Sequence, residues 1–381
     1  MFKRLKSNLA LVFAIVVAMA LLAEWTVRLL WPQSLIHALV RYDPLLGVRG
    51  NPFGQASIIR ADGRRHFIRL NAMGLRMHEE LSQSRERYRI LMYGGSAMFS
   101  AHLPIDQTVF GLLKNAAEAN NRRFQLVNAA VAGHSVQITR LLMMEQIPDL
   151  LPQALVYFFD AGSFSRTVVA SDRSALGELR YDNSGRPILV DPSRSTHLEY
   201  LDWTRKSLGW LHRNSELVTM FITNAHQLLN WARRMLGNDA ANIRLTELPK
   251  MAGESADIRE IMYLSELHFL HMARIANASD VPLLVAWLPA PQELADGSET
   301  SSIVEILRSH RQMLKRLANE NRNFNFWDSV VAAQAALNSD RLFESRGFGA
   351  GSLNADGSRW YANLAAPAII AFINAATDGG R

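Results

Sequence analysis

The apolar positions of this chain fall into one long run near the start and many short ones later, and the two patterns predict different elements. Leu9 to Ala23 is uninterrupted apolar sequence; hydrophobic character resumes around Glu24 and Arg28 as far as Trp31, and Pro32 ends it. At 1.5 Å per residue Leu9–Trp31 would reach about 34 Å as a helix, enough to cross a bilayer. From Arg89 onward the runs shorten to strand length and alternate with stretches of helical period. Strands are predicted at Ile90–Tyr93, Phe124–Val131, Ala154–Phe159, Pro282–Leu288 and Phe324–Trp327. Helices are predicted at Thr108–Ala119, with Val109, Leu112, Leu113 and Ala116 on one face, and at Ser135–Ile147, opened by Ser135 as a cap. Three more follow at Ile258–Ala276, Ser302–Asn319 and Gly357–Ala376. Strand–helix alternation at this spacing predicts an α/β fold with a parallel sheet and right-handed crossovers.

The pattern divides the chain into five parts. Residues 1–31 are a tail and membrane anchor. Residues 32–88 are a connector and the start of the domain, polar with some strand character in YDPLLGVRGNPFG and HFIRLNAMGLRM. Residues 89–164 form the first part of the core and 256–381 the second. Between them, 165–255 breaks the rhythm. It holds a polar loop region, Asp172–Ser195, then a tryptophan- and leucine-rich helical stretch, Tyr200–Leu236. It reads as a mainly helical insertion packed against the core or over a site. Val281–Pro289 is apolar but too short to span a membrane, so it belongs to the buried strand.

Charge sets the expected orientation. Lys3, Arg4 and Lys6 precede the long run, which predicts a cytoplasmic N-terminus. The main domain would then lie outside the inner membrane of a bacterium, in the periplasm, held by a single span. Glu24 and Arg28 are spaced to pair near the interface, and Trp25 and Trp31 suit an aromatic belt. The competing reading is a cleaved signal peptide with Ala18-Met19-Ala20 as its processing site. The chain has 381 residues, 49% of them hydrophobic and 20% charged, so it can hold a real core. It has no cysteine, which excludes disulfides, thiolate catalysis and cysteine-ligated metals. The formal charge is +6, with no basic run interleaved with aromatics, so nucleic acid is not an expected partner. No histidine–carboxylate spacing suggests a metal, and no cofactor is expected.

Chemistry is concentrated in RILMYGGSAMFS, residues 89–100. A strand ends at Gly94-Gly95 and Ser96 follows, at the edge where open α/β sheets bind ligands. On this stretch alone Ser96 could be only a helix N-cap. Three further segments fall at strand ends or loops that a parallel sheet brings to the same edge. They are VNAAVAGHS with Gly133, FFDAGS at residues 158–163, and FGAGSLNADGSRWYANLA at residues 348–365.

Together these four segments resemble the conserved blocks of the SGNH/GDSL hydrolase family. Gly94-Gly95-Ser96 matches the nucleophile block, and VNAAVAGHS matches the block whose glycine supplies an oxyanion N–H, with Gly133 in place. Upstream, IRLNAMGLR followed by RYRILMYGGS resembles a membrane-anchored extracytoplasmic subgroup found in bacterial surface-polysaccharide systems. The resemblance covers roughly residues 40–160 and 256–376. It implies a three-layer α/β/α, flavodoxin-like sheet and a setting in acylation or deacylation of an exported or surface polysaccharide. The implied partners are the inner membrane, an acylated polysaccharide and other membrane proteins of a synthesis or export system.

The chain departs from the family where the chemistry lies. The third block reads Asp160-Ala161-Gly162-Ser163, so Gly162 stands where the family has an oxyanion-donating asparagine. In the last block Leu353-Asn354 and Gly357 match, which sets Gly349 at the aspartate position and Ser352 at the histidine position. A serine hydroxyl needs a base to become a nucleophile, and neither residue supplies or orients one. In serine proteases, loss of a triad member leaves only about 10³–10⁴-fold catalysis over water. His134 and His102 are the candidate substitute bases. Gly95, Asp160, Gly162, Ser163, Gly349, Ser352 and Asn354 are expected around a bound substrate. Two functions stay open: a degenerate member that binds a glycan or assembles a complex, and an active O-acyl esterase or acyltransferase using Ser96 with a non-standard base.

Overall fold

The computed structural model describes residues 2–30, 32–43, 46–60, 62–82, 87–121, 123–160, 178–181, 187–190, 214–221, 224, 255–294, 302–334, 342–343 and 352–378. The candidate residues Gly162, Ser163 and Gly349 lie outside them, as does most of the stretch expected to be a helical insertion.

Five strands form one parallel sheet: β5 (Tyr88–Gly94), β6 (Phe124–Asn128), β7 (Ala154–Asp160), β10 (Leu283–Leu288) and β11 (Phe324–Trp327). Their spatial order is β11-β10-β7-β5-β6. In chain order this is the 2-1-3-4-5 arrangement, whose topological switch lies between β5 and β7. The strands read as near-continuous apolar runs because helices cover both faces. Side chains alternate between the faces along each strand. Ile90, Met92, Val156, Phe158, Leu284 and Ala286 pack into one core with α3 (Val109–Asn120) and the C-terminal helix. Leu91, Tyr93, Leu155, Tyr157, Phe159, Val285 and Trp287 pack into the other. The helices covering that second face are α4 (Val136–Leu150), α5 (Ser255–Ser279) and α7 (Ser302–Glu320). Two short helices follow β10 and β11, α6 (Pro291–Leu294) and α8 (Val330–Gln334), and α9 (Ala355–Asp378) closes the fold.

The segment before the sheet is more regular than its polar composition predicts. It forms two antiparallel hairpins, β1 (Val40–Asp43) with β2 (Gly47–Gly50) and β3 (Gln55–Ile59) with β4 (Arg65–Arg69). The second hairpin has one face on the core: Ala56, Ile58 and Ile68 join it while Arg65, Phe67 and Arg69 face outward. The polar stretch Asp172–Ser195, expected as loop, also contains an antiparallel pair, β8 (Glu178–Tyr181) and β9 (Pro187–Val190). Short strand-like runs, ELRY and PILV, either side of an Asn-Ser-Gly turn were the hairpin signal there.

The first helix, α1 (Phe2–Leu30), contains one stretch long and apolar enough to cross a membrane, Asn8–Leu30. Its side chains are largely exposed, from Leu9 to Leu30, with Val27 buried.

Candidate functional site

Ser96 is not the N-cap that its local sequence permits. Gly95 occupies the cap position, and Ser96 is the first residue of α2 (Ser96–Phe99), a single turn closed by Phe99 N–H to Gly95 O at 2.9 Å and Ser100 N–H to Ser96 O at 2.8 Å. The side chain is therefore released from capping. Its Oγ, half-buried, accepts a hydrogen bond from the backbone N–H of Gly133 at 3.3 Å. The nucleophile position and the oxyanion glycine of the resemblance thus meet, although 37 residues separate them.

Gly133 is held there by its neighbours. Ala129 N–H reaches Met92 O at 2.9 Å and Val131 N–H reaches Gly94 O at 3.2 Å, so the loop after β6 is laced to the end of β5. Gly133 itself has φ +91°, a conformation that residues with a Cβ resist. Ser135, as expected, caps α4 by accepting from Ile138 N–H at 3.4 Å. The N-terminus of α4 follows the Gly133 loop directly in the chain.

The third strand reaches the same edge. Gly94 pairs with Phe158, so Ser96 and Asp160, two residues further on, stand at the ends of adjacent strands across the switch point. Asp160 is half-buried.

The two candidate bases are placed differently. His134 is buried, and its Nε2 lies 2.9 Å from the carbonyl oxygen of Val48 on β2. His102 is buried in the loop after α2, with Nε2 2.9 Å from the carbonyl oxygen of Leu353. A carbonyl oxygen only accepts, so each Nε2 carries its proton and donates it. Neither nitrogen is then a base, and neither ring hydrogen-bonds Ser96 among the described residues. Each histidine instead pins a distant segment to the loops flanking Ser96.

The contact from His102 also shows how the last block docks. Leu353 bridges Phe343, and Asn354 N–H donates to Leu342 O at 3.0 Å. Asn354 Oδ1 accepts from Gly357 N–H at 2.8 Å and so caps α9. A Cβ on Gly357 would meet Leu342 O at 2.0 Å, so glycine is required by the close approach of that backbone. The matched positions Leu353, Asn354 and Gly357 therefore have a structural account. Ser352, half-buried, precedes them in the segment His102 holds.

Two supports of this edge were not read from the sequence. Arg76, almost wholly buried, donates to the carbonyl oxygens of Phe99 and Leu103, and its guanidinium lies 5.3 Å from the Phe99 ring centroid. It thereby braces both ends of the loop after Ser96. Burial lowers its pKa, yet the guanidinium keeps its charge at neutral pH. Its approach is set by Asn71, whose Oδ1 accepts from Met73 N–H and Leu75 N–H, both at 3.0 Å, in the turn before it. Beside it His66 is held below the ordinary histidine pKa by burial and then by the Arg76 charge. At the far end of the edge Glu293, buried, accepts from Trp287 Nε1 at 2.9 Å and Ala290 N–H at 3.0 Å, with Arg311 Nε 3.2 Å away. Burial raises the Glu293 pKa against these partners. Among the described residues no group of three or more histidine, aspartate or glutamate side chains could hold a metal ion.

Fold and site together define a three-layer α/β/α protein with an uncapped serine at the topological switch and a backbone N–H aimed at its hydroxyl. No family model matches the chain, and no curated protein matches it. Among solved structures, the chain is similar to an acetyl xylan esterase, AlAXEase, at 12% identity and a TM-score of 0.40, over 74% of this chain and 99% of that one. It is similar to a lipolytic G-D-S-L family protein from Veillonella parvula at 11% identity and 0.37, over 73% and 96%. A catalytic mutant of the acetylxylan esterase Axe2 from Geobacillus stearothermophilus gives 10% and 0.39, over 73% and 91%. A likeness at this level leaves the reading of the site to the chain's own geometry.

Proposed function

We propose that this is an SGNH-like, membrane-anchored extracytoplasmic protein of a bacterial surface- or exported-polysaccharide system. In it the Ser96 mouth binds an acylated glycan, or seats a complex, without efficient hydrolysis. One observation carries the reading. Ser96 Oγ is met by the Gly133 N–H, while both histidines that could have served as its base spend Nε2 on backbone carbonyls. With Nε2 donating, only Nδ1 of each ring keeps a lone pair, and neither ring hydrogen-bonds Ser96 among the described residues. A serine met by an N–H but by no bonded base can hold an ester or acetyl carbonyl yet has little nucleophilicity. The anchor is supported by Asn8–Leu30, and the periplasmic side by the basic residues before it.

A second reading is an active O-acyl esterase or acyltransferase. It is favoured by the Gly133 N–H at Ser96 and by Asp160 at the end of the neighbouring strand.

Active-site labelling separates the two. The detergent-solubilised chain is treated with a fluorophosphonate and weighed intact by mass spectrometry. We expect no stoichiometric adduct, and unchanged polysaccharide production in a Ser96→Ala strain. An adduct that forms on the wild type and vanishes in Ser96→Ala would overturn the inactive reading. In a separate assay with an acetyl ester, the pair Gly349→Asp and Ser352→His should create measurable hydrolysis, since it restores the dyad residues that the resemblance implies.

A further inference from the structure

We propose that the β3–β4 hairpin is a membrane-surface contact that lays Phe67 and its flanking arginines on anionic phospholipid headgroups at the end of the anchor. The inference rests on the reading that α1 crosses the membrane within Asn8–Leu30 and goes beyond it.

The first ground is that α1 is hydrogen-bonded to the folded domain on both sides of its C-terminal end. Three consecutive residues after the helix are each tied to the domain. Gln33 N–H donates to Glu216 Oε2 at 2.7 Å, Ser34 Oγ accepts from Ile59 N–H at 3.0 Å, and Leu35 N–H donates to Ser57 O at 3.2 Å. The last turns of the helix are tied as well. Glu24 accepts from Ser215 Oγ at 2.6 Å and from the N–H groups of Glu216 and Leu217 at 2.9 and 3.1 Å. Arg28 pairs with Glu24 at 2.6 Å and donates to Asn214 O at 2.8 Å. Folded polypeptide therefore begins beside Glu24. That leaves Leu9–Ala23 for the hydrocarbon, about 23 Å of helix against a core of about 30 Å. A span this short draws its flanking structure into the headgroups.

The second ground is what lies beside that junction. Arg65, in the strand residue next to the hairpin tip, donates to Arg28 O at 3.0 Å and pairs with Glu216 at 3.4 Å. The tip is thus held against the end of the helix. Arg65, Phe67 and Arg69 share the exposed face of β4. Phe67 is 81% exposed, and Phe221, in the segment that holds Glu24, is 63% exposed. From residue 60 to residue 69 there are four arginines, Arg60, Arg64, Arg65 and Arg69, against one acid, Asp62, which lies 3.7 Å from Arg60. An isolated exposed phenylalanine is unremarkable on a soluble surface. One set among arginines, on a strand bonded to the end of a membrane helix, matches the chemistry of an interfacial contact. Each arginine near an anionic surface strengthens association by about five-fold.

The test uses the absence of native cysteine. Single-cysteine variants of the full chain, Val17→Cys, Phe67→Cys and Glu305→Cys, are labelled with an environment-sensitive fluorophore. They are placed in nanodiscs carrying a spin-labelled quencher lipid, made either of phosphatidylcholine alone or with phosphatidylglycerol. The expected result is quenching at position 17 in both membranes and none at position 305. At position 67, quenching appears with phosphatidylglycerol and is several-fold weaker without it. The triple change Arg60→Ser, Arg64→Ser and Arg69→Ser should weaken the docked state on the order of a hundred-fold and remove the lipid dependence. Quenching at 17 with none at 67 would overturn the hairpin contact and leave the anchor standing. Equal quenching at 67 in both membranes would overturn the role of anionic headgroups. No quenching at 17 would remove the anchor and this inference with it.

Discussion

Ser96 and Gly133 show how much one hydrogen bond can decide about a side chain. A serine after a glycine pair at a helix start is ordinarily a cap, and here the cap falls on Gly95 instead. The hydroxyl is left to the Gly133 N–H, which exists in that direction only because Gly133 adopts φ +91°. Space is not the constraint, since a Cβ there would meet nothing within 4 Å. Gly133→Ala should therefore destabilise through backbone strain alone, by about 1–2 kcal/mol. Ser96→Ala, which removes an acceptor from a half-exposed pair, should cost well under that. Denaturant midpoints of the two variants in detergent check the ordering. Equal losses would mean that the Gly133 conformation is not set by its own φ. The histidines teach the converse. His102 and His134 sit in the right loops by sequence, but each is buried and gives its Nε2–H to a main-chain carbonyl, of Leu353 and of Val48.

At the scale of elements, Asn354 tests whether the last block acts on substrate or on structure. Its Oδ1 holds the Gly357 N–H at the start of α9, the helix that covers one face of the sheet alongside α3. Asn354→Ala should cost about 1 kcal/mol as a lost cap, and Asn354→Asp should restore it, because aspartate caps equally well and suits the helix dipole. Thermal melts of the three proteins give the answer; an aspartate variant as weak as the alanine one would assign the side chain another task. The elements themselves were legible because each strand and helix has its own period. Ala154–Phe159 is a pure apolar run and α3 shows an apolar face, and both were readable to within a residue or two. What escaped was set by distant partners. Arg76 reads as one arginine among many until its burial under Phe99 and Leu103 is seen. Glu293, in a four-residue helix, carries no local sign that it holds Trp287. The hairpins before β5 are short and polar on one side, so composition alone read them as connector.

The whole molecule carries an acid sensitivity in the core between α4, α5, α7 and the sheet. His310 lies stacked on Phe159, ring centroids 5.0 Å apart, with Nε2 3.1 Å from Ser265 Oγ. Burial pushes its pKa from 6.5 down to about 3. His268 is also pushed down to about 3, by burial first and then by the charges of Arg140 and His271. Above pH 6.5 both are neutral, folded or unfolded, and contribute no pH dependence. Below it the unfolded chain takes up protons that the folded chain refuses, so stability falls as pH drops from about 6.5 towards 3. Each histidine can contribute up to about 1.4 kcal/mol per pH unit in that window. Denaturation of the detergent-solubilised chain between pH 7 and pH 5 should show the decline, and His268→Gln should reduce its slope. A slope unchanged by that substitution would place the sensitivity elsewhere.

The bonds from Glu24, Gln33, Ser34 and Leu35 to the domain bear on where the Ser96 mouth can work. A domain on a loose tether sweeps a volume and meets polymers of any height above the lipid. With α1 as the proposed anchor, a domain stitched to it holds its opening at one altitude and one bearing. On the proposed reading, an acylated glycan would have to be brought to that station. A flexible spacer inserted after Leu30 would free the mouth to roam at the cost of that alignment.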